Sequence, residues 1–204
     1  GHFLKVESGE DMPTVVVGRD MRLTSPELAE ALIGGLLKAG VRVADIGMCD
    51  TPMVPWATKH LRAAGGIQVT ASHNPPTYNG LKICRALGRP VGEGTGLETI
   101  RLHAQQDLAE AAAGATCVSL DLWDDYRKHV HTFMHPGLLD GSATIELAID
   151  GSNGMAGTCV PKLYGDVPGL KLHAINMENE TGHFAHPPNP LLPEVIVVVG
   201  ELVR

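Results

Sequence analysis

The sequence predicts an α/β protein: a mixed, mostly parallel sheet layered with helices, with a complete first domain followed by part of a second, similar α/β domain. Three observations predict it. Between residues 15 and 70 the pattern runs strand, helix, strand, helix, strand, an order whose right-handed crossovers build a parallel sheet covered by helices. The strand candidates are short β-branched runs such as Val15-Val16-Val17, the mark of buried strands. After residue 135 a strand, a glycine-rich turn and a helix begin a second unit of the same kind.

Each element follows from local chemistry. The first strand leads into Gly18-Arg19-Asp20. Thr24 followed by Glu27 fits a capping box, and Pro26 suits a first helical turn, where its missing N–H has no helical partner. Leu28, Ala31, Leu32, Gly35 and Leu36 form that helix's apolar face, and Gly40 is its stop. Val41–Ile46 is the next strand. Thr51-Pro52 opens a helix expected to run to about Ala64, with Gly65-Gly66 ending it and Ile67–Thr70 as the third strand. Leu81–Cys84 adds a short strand, and helices are expected over 95–113 and 120–134. His135-Pro136-Gly137 breaks the pattern, so the domains are drawn at 1–135 and 136–204. In the second, Ile145–Ile149 is a strand, Asp150–Gly154 a turn, Gly157–Tyr164 a helix and Leu170–Ile175 a strand. A proline-rich loop over 186–190 follows, and the run Val195–Val199 closes no third unit.

Composition narrows the function. Apolar residues are 44% and charged residues 19% of the 204, the balance of a chain that buries a core, and with aromatics at 4% that core is built from Val, Leu, Ile and Ala. A net charge of −7 without any basic run argues against nucleic acid or an anionic membrane as partner. An anionic small substrate remains compatible, since a few placed cations hold one phosphate. Cys49, Cys84, Cys117 and Cys159 lie far apart with no CxxC pair, which speaks against zinc or a disulfide framework and for a reducing compartment. With no signal-peptide pattern and no apolar run of bilayer length, the expectation is a cytoplasmic monomer or dimer.

The chemistry concentrates in Thr70-Ala71-Ser72-His73-Asn74-Pro75-Pro76-Thr77-Tyr78-Asn79-Gly80-Leu81-Lys82. A buried strand delivers Ser72 to its C-terminal edge, where open α/β sheets bind ligands. Pro75 and Pro76 stiffen the loop and Asn79-Gly80 turns the chain back. His73 is a proton carrier near neutral pH beside the hydroxyl, and Lys82 supplies positive charge for phosphate oxygens or a leaving alkoxide. Any one of these residues alone would be an ordinary turn residue. The whole string resembles the active-serine loop of the α-D-phosphohexomutases, the phosphomannomutase/phosphoglucomutase type. Val17-Gly18-Arg19-Asp20, Asp45-Ile46-Gly47 with Thr51-Pro52, Asp150–Gly157, and Pro188-Asn189-Pro190-Leu191 also resemble family segments, so the likeness spans about residues 14–194.

The resemblance implies a mutase interconverting hexose 1-phosphate and 6-phosphate, of mannose and/or glucose. Its serine is stored as phosphoserine, and a bisphosphorylated sugar turns around between two transfers. It implies Ser72 as phosphoryl carrier and metal contact, and His73 and Lys82 as acid/base or charge-stabilising groups. Asn74, with Lys82, is expected on the substrate side. Mg²⁺ is the implied cofactor, glucose 1,6-bisphosphate the activator and a phosphosugar the substrate; Tyr78 favours the phosphomannomutase/phosphoglucomutase branch. The family's three-carboxylate metal loop, its later domains and its N-terminal Arg segment are not found. The 204 residues are therefore expected to be an incomplete, inactive portion. Two other readings are a non-catalytic sugar-phosphate-binding or interaction protein that keeps the first-domain fold, and a hydrolase of the phosphoserine type, for which no water-activating base is found.

Other clusters read as structure. Asp150–Gly157 lacks the Lys and Ser/Thr of a phosphate-binding P-loop and reads as a tight turn. His129, His131 and His135 read as a solvated helix end favourable to the C-terminal carbonyls, and His183 and His186 are read in the same way. Arg19 with Asp20 fits either an ion pair bracing the loop or a catalytic pair.

Overall fold

The computed structural model describes residues 1–106, 110–111, 114–189 and 191–202. Packing divides the chain into two compact units, 1–20 with 24–70 and 80–121, and 21–23 with 71–79 and 122–204.

The first unit begins with α1 (His2–Ser8), then β1 (Thr14–Arg19), α2 (Ser25–Lys38), β2 (Arg42–Met48), α3 (Met53–His60), β3 (Gly65–Val69) and β4 (Leu81–Arg85). A 3₁₀ turn, Ala86–Gly88, leads to β5 (Arg89–Pro90), α4 (Leu97–Ala104) and β6 (Cys117–Ser119). The sheet order is β5-β4-β3-β1-β2-β6. β1 runs parallel to β2 and β3, and β2 parallel to β6, while β4 and β5 return antiparallel. This is the mixed, mostly parallel sheet expected from the strand–helix alternation. Val15 and Val17 pack with Leu36, Val41, Val43 and Ile67, and α1 closes the cluster with Phe3 and Leu4. That helix was not foreseen from the sequence; it ends on Gly9, whose left-handed φ of 69° lets its N–H reach the Lys5 carbonyl.

Three boundaries differ from expectation. Thr24 stands at the N-cap of α2 in a helical conformation (φ −86°, ψ −10°) and its side chain makes no cap bond, so the capping box does not form. An N-cap hydroxyl reaches the first-turn N–H groups from an extended backbone, which Thr24 lacks. α3 stops at His60, and Gly65-Gly66 is the start of β3 rather than a helix stop. A Cβ on Gly66 would lie 2.3 Å from Thr58 Oγ1 and 2.7 Å from Val54 Cγ1, so the missing side chain is what lets α3 approach the strand. α4 ends at Ala104, well inside the expected 95–113; part of that range (107–109 and 112–113) lies outside the described residues.

In the second unit, α5 (Trp123–His131) is shorter than the expected 120–134, because Leu120, just past β6, is still held by its N–H bond to the Asp45 carbonyl. α6 (Pro136–Asp140) starts where the sequence suggested only a break: His135 Nδ1 accepts from the Gly137 N–H as its cap, and Pro136 opens the first turn. β7 (Ile145–Asp150), α7 (Ala156–Tyr164) and β8 (Leu170–Ile175) form a βαβ unit, the strands in parallel register from Ile145↔Leu170 to Asp150↔Ile175. α8 (Pro193–Leu202) follows. Residues 122–135, placed with the first domain on sequence, pack in this unit: Arg127 pairs with Asp166 at 2.7 Å, and a ring N–H of His131 donates to the Leu163 carbonyl at 2.6 Å. His129 and His135 remain exposed, as expected of a solvated helix end, with His129 edge-on to Phe133; half-buried His131 is the one that departs from that reading. Among the described residues no helix is long and apolar enough to cross a membrane.

Candidate active site

Loop 71–79 carries three of the four residues singled out on sequence. Ser72 is exposed and sits at φ 56°, an unusual conformation for a residue with a Cβ. Its Oγ lies 3.3 Å from Nδ1 of the exposed His73. The Asn74 amide and its side-chain Nδ2 both donate to the Ala71 carbonyl, at 3.1 and 2.8 Å, and Tyr78 N–H donates to the Pro75 carbonyl at 3.0 Å. Asn74 is thus a brace for the turn that presents the hydroxyl.

Arg22 occupies the centre of the loop with only 1% of its surface exposed. Nη2 donates to the carbonyls of Ser72 and Asn74 at 2.9 and 2.8 Å, and Nη1 to those of Pro75 and Tyr78 at 2.6 and 3.1 Å. Its guanidinium carbon stands 5.2 Å from the centre of the Phe184 ring. In the first unit the chain just before the loop is held by Asp20. The Asp20 N–H donates to the Val69 carbonyl, and the carboxylate accepts from Ser25 Oγ at 2.5 Å and Thr70 Oγ1 at 2.7 Å. Arg19 donates to the Asp20 backbone carbonyl at 3.5 Å, while the carboxylate takes the two hydroxyls. Neither Arg22 nor the carbonyls it gathers stood out in the sequence: its partners lie fifty or more positions away and are backbone atoms, which carry no residue signature.

Lys82, the fourth residue, lies exposed on β4 opposite Gln68 of β3, within the first unit.

Ser72 and His73 line a cavity of about 370 Å³ in the second unit, together with Asp150, Ser152, Phe184 and His186. The turn after β7 is tight, as expected: Asp150 Oδ1 accepts from the Ser152 N–H at 2.9 Å, and Ser152 and Asn153 adopt φ of 48° and 54°. His186 is not the solvated side chain the sequence suggested; Nε2 meets Asp150 Oδ2 at 3.0 Å, with the carboxyl side chain only 3% exposed. Burial works against charge on both partners, and the bonds outweigh it. Asp150 also accepts from Asn176 Nδ2 at 3.0 Å and is held below the ordinary carboxyl value. His186, facing the Pro187 carbonyl at 3.1 Å and Asp150, is held above the ordinary imidazole value.

Ser152 Oγ lies 3.2 Å from His186 Nδ1, so Asp150, His186 and Ser152 are connected like an activated-nucleophile relay. The protons argue against that use. Nδ1 also faces a carbonyl and must carry hydrogen, while the Ser152 hydroxyl donates to the His186 carbonyl at 3.2 Å. His186 therefore has no lone pair for the serine proton.

Magnesium takes a near-octahedral set of oxygens. Among the described residues no group of three or more His, Cys, Asp or Glu side chains converges to hold a metal, and the loop itself carries no carboxylate. The described residues do not by themselves fit the ion.

The family model for domain I of the phosphoglucomutases/phosphomannomutases, an α/β/α domain, matches residues 2–109. A protein named for phosphohexose mutases, from Xanthomonas campestris pv. campestris, is 41% identical over 188 residues, covering 90% of this chain and 40% of its own. The phosphomannomutase of Vibrio cholerae serotype O1 is 38% identical over 201 residues, covering 95% and 42%. A crystal structure of a phosphoglucomutase/phosphomannomutase family protein from Burkholderia thailandensis superposes with a TM-score of 0.74 at 29% identity, over 97% of this chain and 43% of that one. The chain thus spans about two-fifths of the length of these relatives. With the family model matched over more than half its length, and the same fold in the solved relative, the chain belongs to the phosphoglucomutase/phosphomannomutase family.

Proposed function

We propose that this chain is the phosphoserine-bearing portion of a phosphohexomutase that interconverts the 1-phosphate and 6-phosphate of mannose and/or glucose through a bisphosphorylated sugar. The observation that carries the reading is the serine loop: a complete match to the family string, folded so that Ser72 Oγ is exposed while its backbone is held from beneath. In the forward transfer the P–Oγ bond of phosphorylated Ser72 breaks and its electron pair stays on Oγ. A sugar hydroxyl oxygen bonds phosphorus, and the proton it releases is balanced by the one that Oγ takes up as the Ser72 hydroxyl re-forms. Phosphoryl transfer leaves the protein little covalent work, so its share is to position and to neutralise. His73, 3.3 Å from Oγ, is assigned to move the proton at that oxygen, and Lys82 to offset charge on the phosphoryl group. Asn74 is assigned to shape the phosphosugar side of the loop. Mg²⁺, when bound, would neutralise phosphoryl charge. This chain's contribution to it is Ser72, with the other ligands supplied from outside the described residues, and no step here is derived through the metal.

The test is phosphate uptake. Incubated with glucose 1,6-bisphosphate, the intact enzyme that contains these residues should gain one phosphoryl group that peptide mapping places on Ser72, and Ser72→Ala should gain none. Unchanged uptake in Ser72→Ala would remove the assignment. The 204 residues alone are expected to show no mutase turnover in a coupled assay beside a longer chain containing them. Turnover within about tenfold of the longer chain, less than the loss of one well-placed stabilising group, would show that the machinery has been misplaced.

A further inference from the structure

We propose that Arg22 is a positioning residue for the reactive serine, a buried cationic fork that fixes Ser72 by its backbone carbonyl rather than through its hydroxyl; this rests on the phosphoserine reading above. The acceptors are the carbonyls of residues 72, 74, 75 and 78, all inside a nine-residue loop that forms no helix or strand. Nη2 takes the two before the turning point and Nη1 the two after it, so both halves of the loop fold around one planar group. A guanidinium presents its N–H groups in a fixed plane, which an ammonium cannot reproduce. Bonds to a charged donor are the stronger kind. The half-buried Phe184 ring beside the guanidinium restrains it further.

The arrangement explains how a serine persists at φ 56°. Such a conformation survives where the surroundings over-determine it, and here the Ser72 carbonyl is tied to Arg22 while Asn74 ties Ala71. Arg22 is a poor candidate for a direct phosphate ligand: it is 1% exposed and spends its fork on carbonyls. Its contacts in the loop are with backbone, so the influence on chemistry passes through the orientation of Cα–Cβ at Ser72. A displacement of about 1 Å at a reacting group can cost roughly a hundredfold in rate.

The test compares wild type with Arg22→Lys and Arg22→Gln in the longest natural chain that contains this sequence. Hydrogen exchange of peptides covering 71–79 reads the clamp. Phosphoryl uptake at Ser72, with kcat and KM for the phosphosugar, reads its consequence. Losing one charge-assisted bond corresponds to roughly tenfold in an opening equilibrium, so both variants should exchange the loop amides at least that much faster, with β1 and β7 unchanged. Uptake and kcat should fall about a hundredfold while KM moves little. Free guanidinium added to Arg22→Gln should recover part of the uptake. Either variant with wild-type loop exchange, or with faster exchange and undiminished uptake, overturns the proposal. If wild-type Ser72 itself takes up no phosphate, the mutase reading fails, and loop exchange alone still decides whether Arg22 holds the loop.

Discussion

Ser72, His73 and Asn74 could be read from the sequence because they stand side by side in one string, whereas the residues that hold them could not. Asp20 illustrates the difference. Its carboxylate is 5% exposed and collects the Ser25 and Thr70 hydroxyls, a role that depends on where two distant segments meet. Asp20→Ala would leave buried donors unsatisfied, at about 1–3 kcal/mol for each such group. An unfolding free energy from urea titration lower by an amount in that range is expected, and a value equal to wild type would show that water takes the place of the carboxylate. His186 was likewise hidden, because only folding brings it to Asp150. Its raised pKa means that the folded form holds the proton more tightly, a stabilisation complete below the ordinary value of about 6.5 and lost as pH climbs through the folded value. Asp150, being depressed, stabilises above its ordinary value of about 3.9 and loses this as pH falls through the folded value. The pair is thus worth most between about pH 4 and pH 6.5. His186→Gln should flatten the decline of melting temperature between about pH 6 and pH 8, and parallel slopes for both proteins would deny the pair this role.

At the scale of elements, β1, β2, β4, β7 and β8 were legible because short β-branched or apolar runs bounded by turn residues leave little choice of period. The errors fell where a residue type has two uses. Gly65-Gly66 reads as a helix stop, yet Gly66 is where α3 comes closest to β3, and Gly18 of β1 has Val54 of the same helix 2.8 Å from a hypothetical Cβ. Gly66→Ala must push Thr58 and Val54 aside. Overpacking of this kind costs about 1–3 kcal/mol, which a denaturation curve would register; a loss under half of that range would mean that α3 slides without resistance. His135 reads as the end of one helix and is the cap of the next. The seven residues of α1 carry too short a pattern to declare themselves, and packing of Phe3 and Leu4 against the sheet is what makes them a helix.

For the whole molecule, the sequence conveyed the layered α/β plan and the second unit, since both follow from the order of elements. It could not convey that loop 71–79 packs as part of a unit otherwise built from residues 21–23 and 122 onward, because that grouping arises from contacts between segments far apart in the chain. The two sheets also differ at their margins. The six-stranded one ends in β5, two residues including Pro90, and β6, three residues, so neither side offers much of a ladder to extend. The sheet of β7 and β8 has two six-residue strands with no further strand among the described residues, and Ile145 and Leu147 of β7 remain 46% and 39% exposed. Two strands alone are marginal in water, and an apolar strand with an open side templates its own kind. Under mild denaturant, fibril growth by the 204-residue chain should therefore nucleate at residues 145–150, with Ile145→Lys lengthening the lag and Val118→Lys, on β6, leaving it unchanged. The reverse order of lags would place the nucleus on the larger sheet.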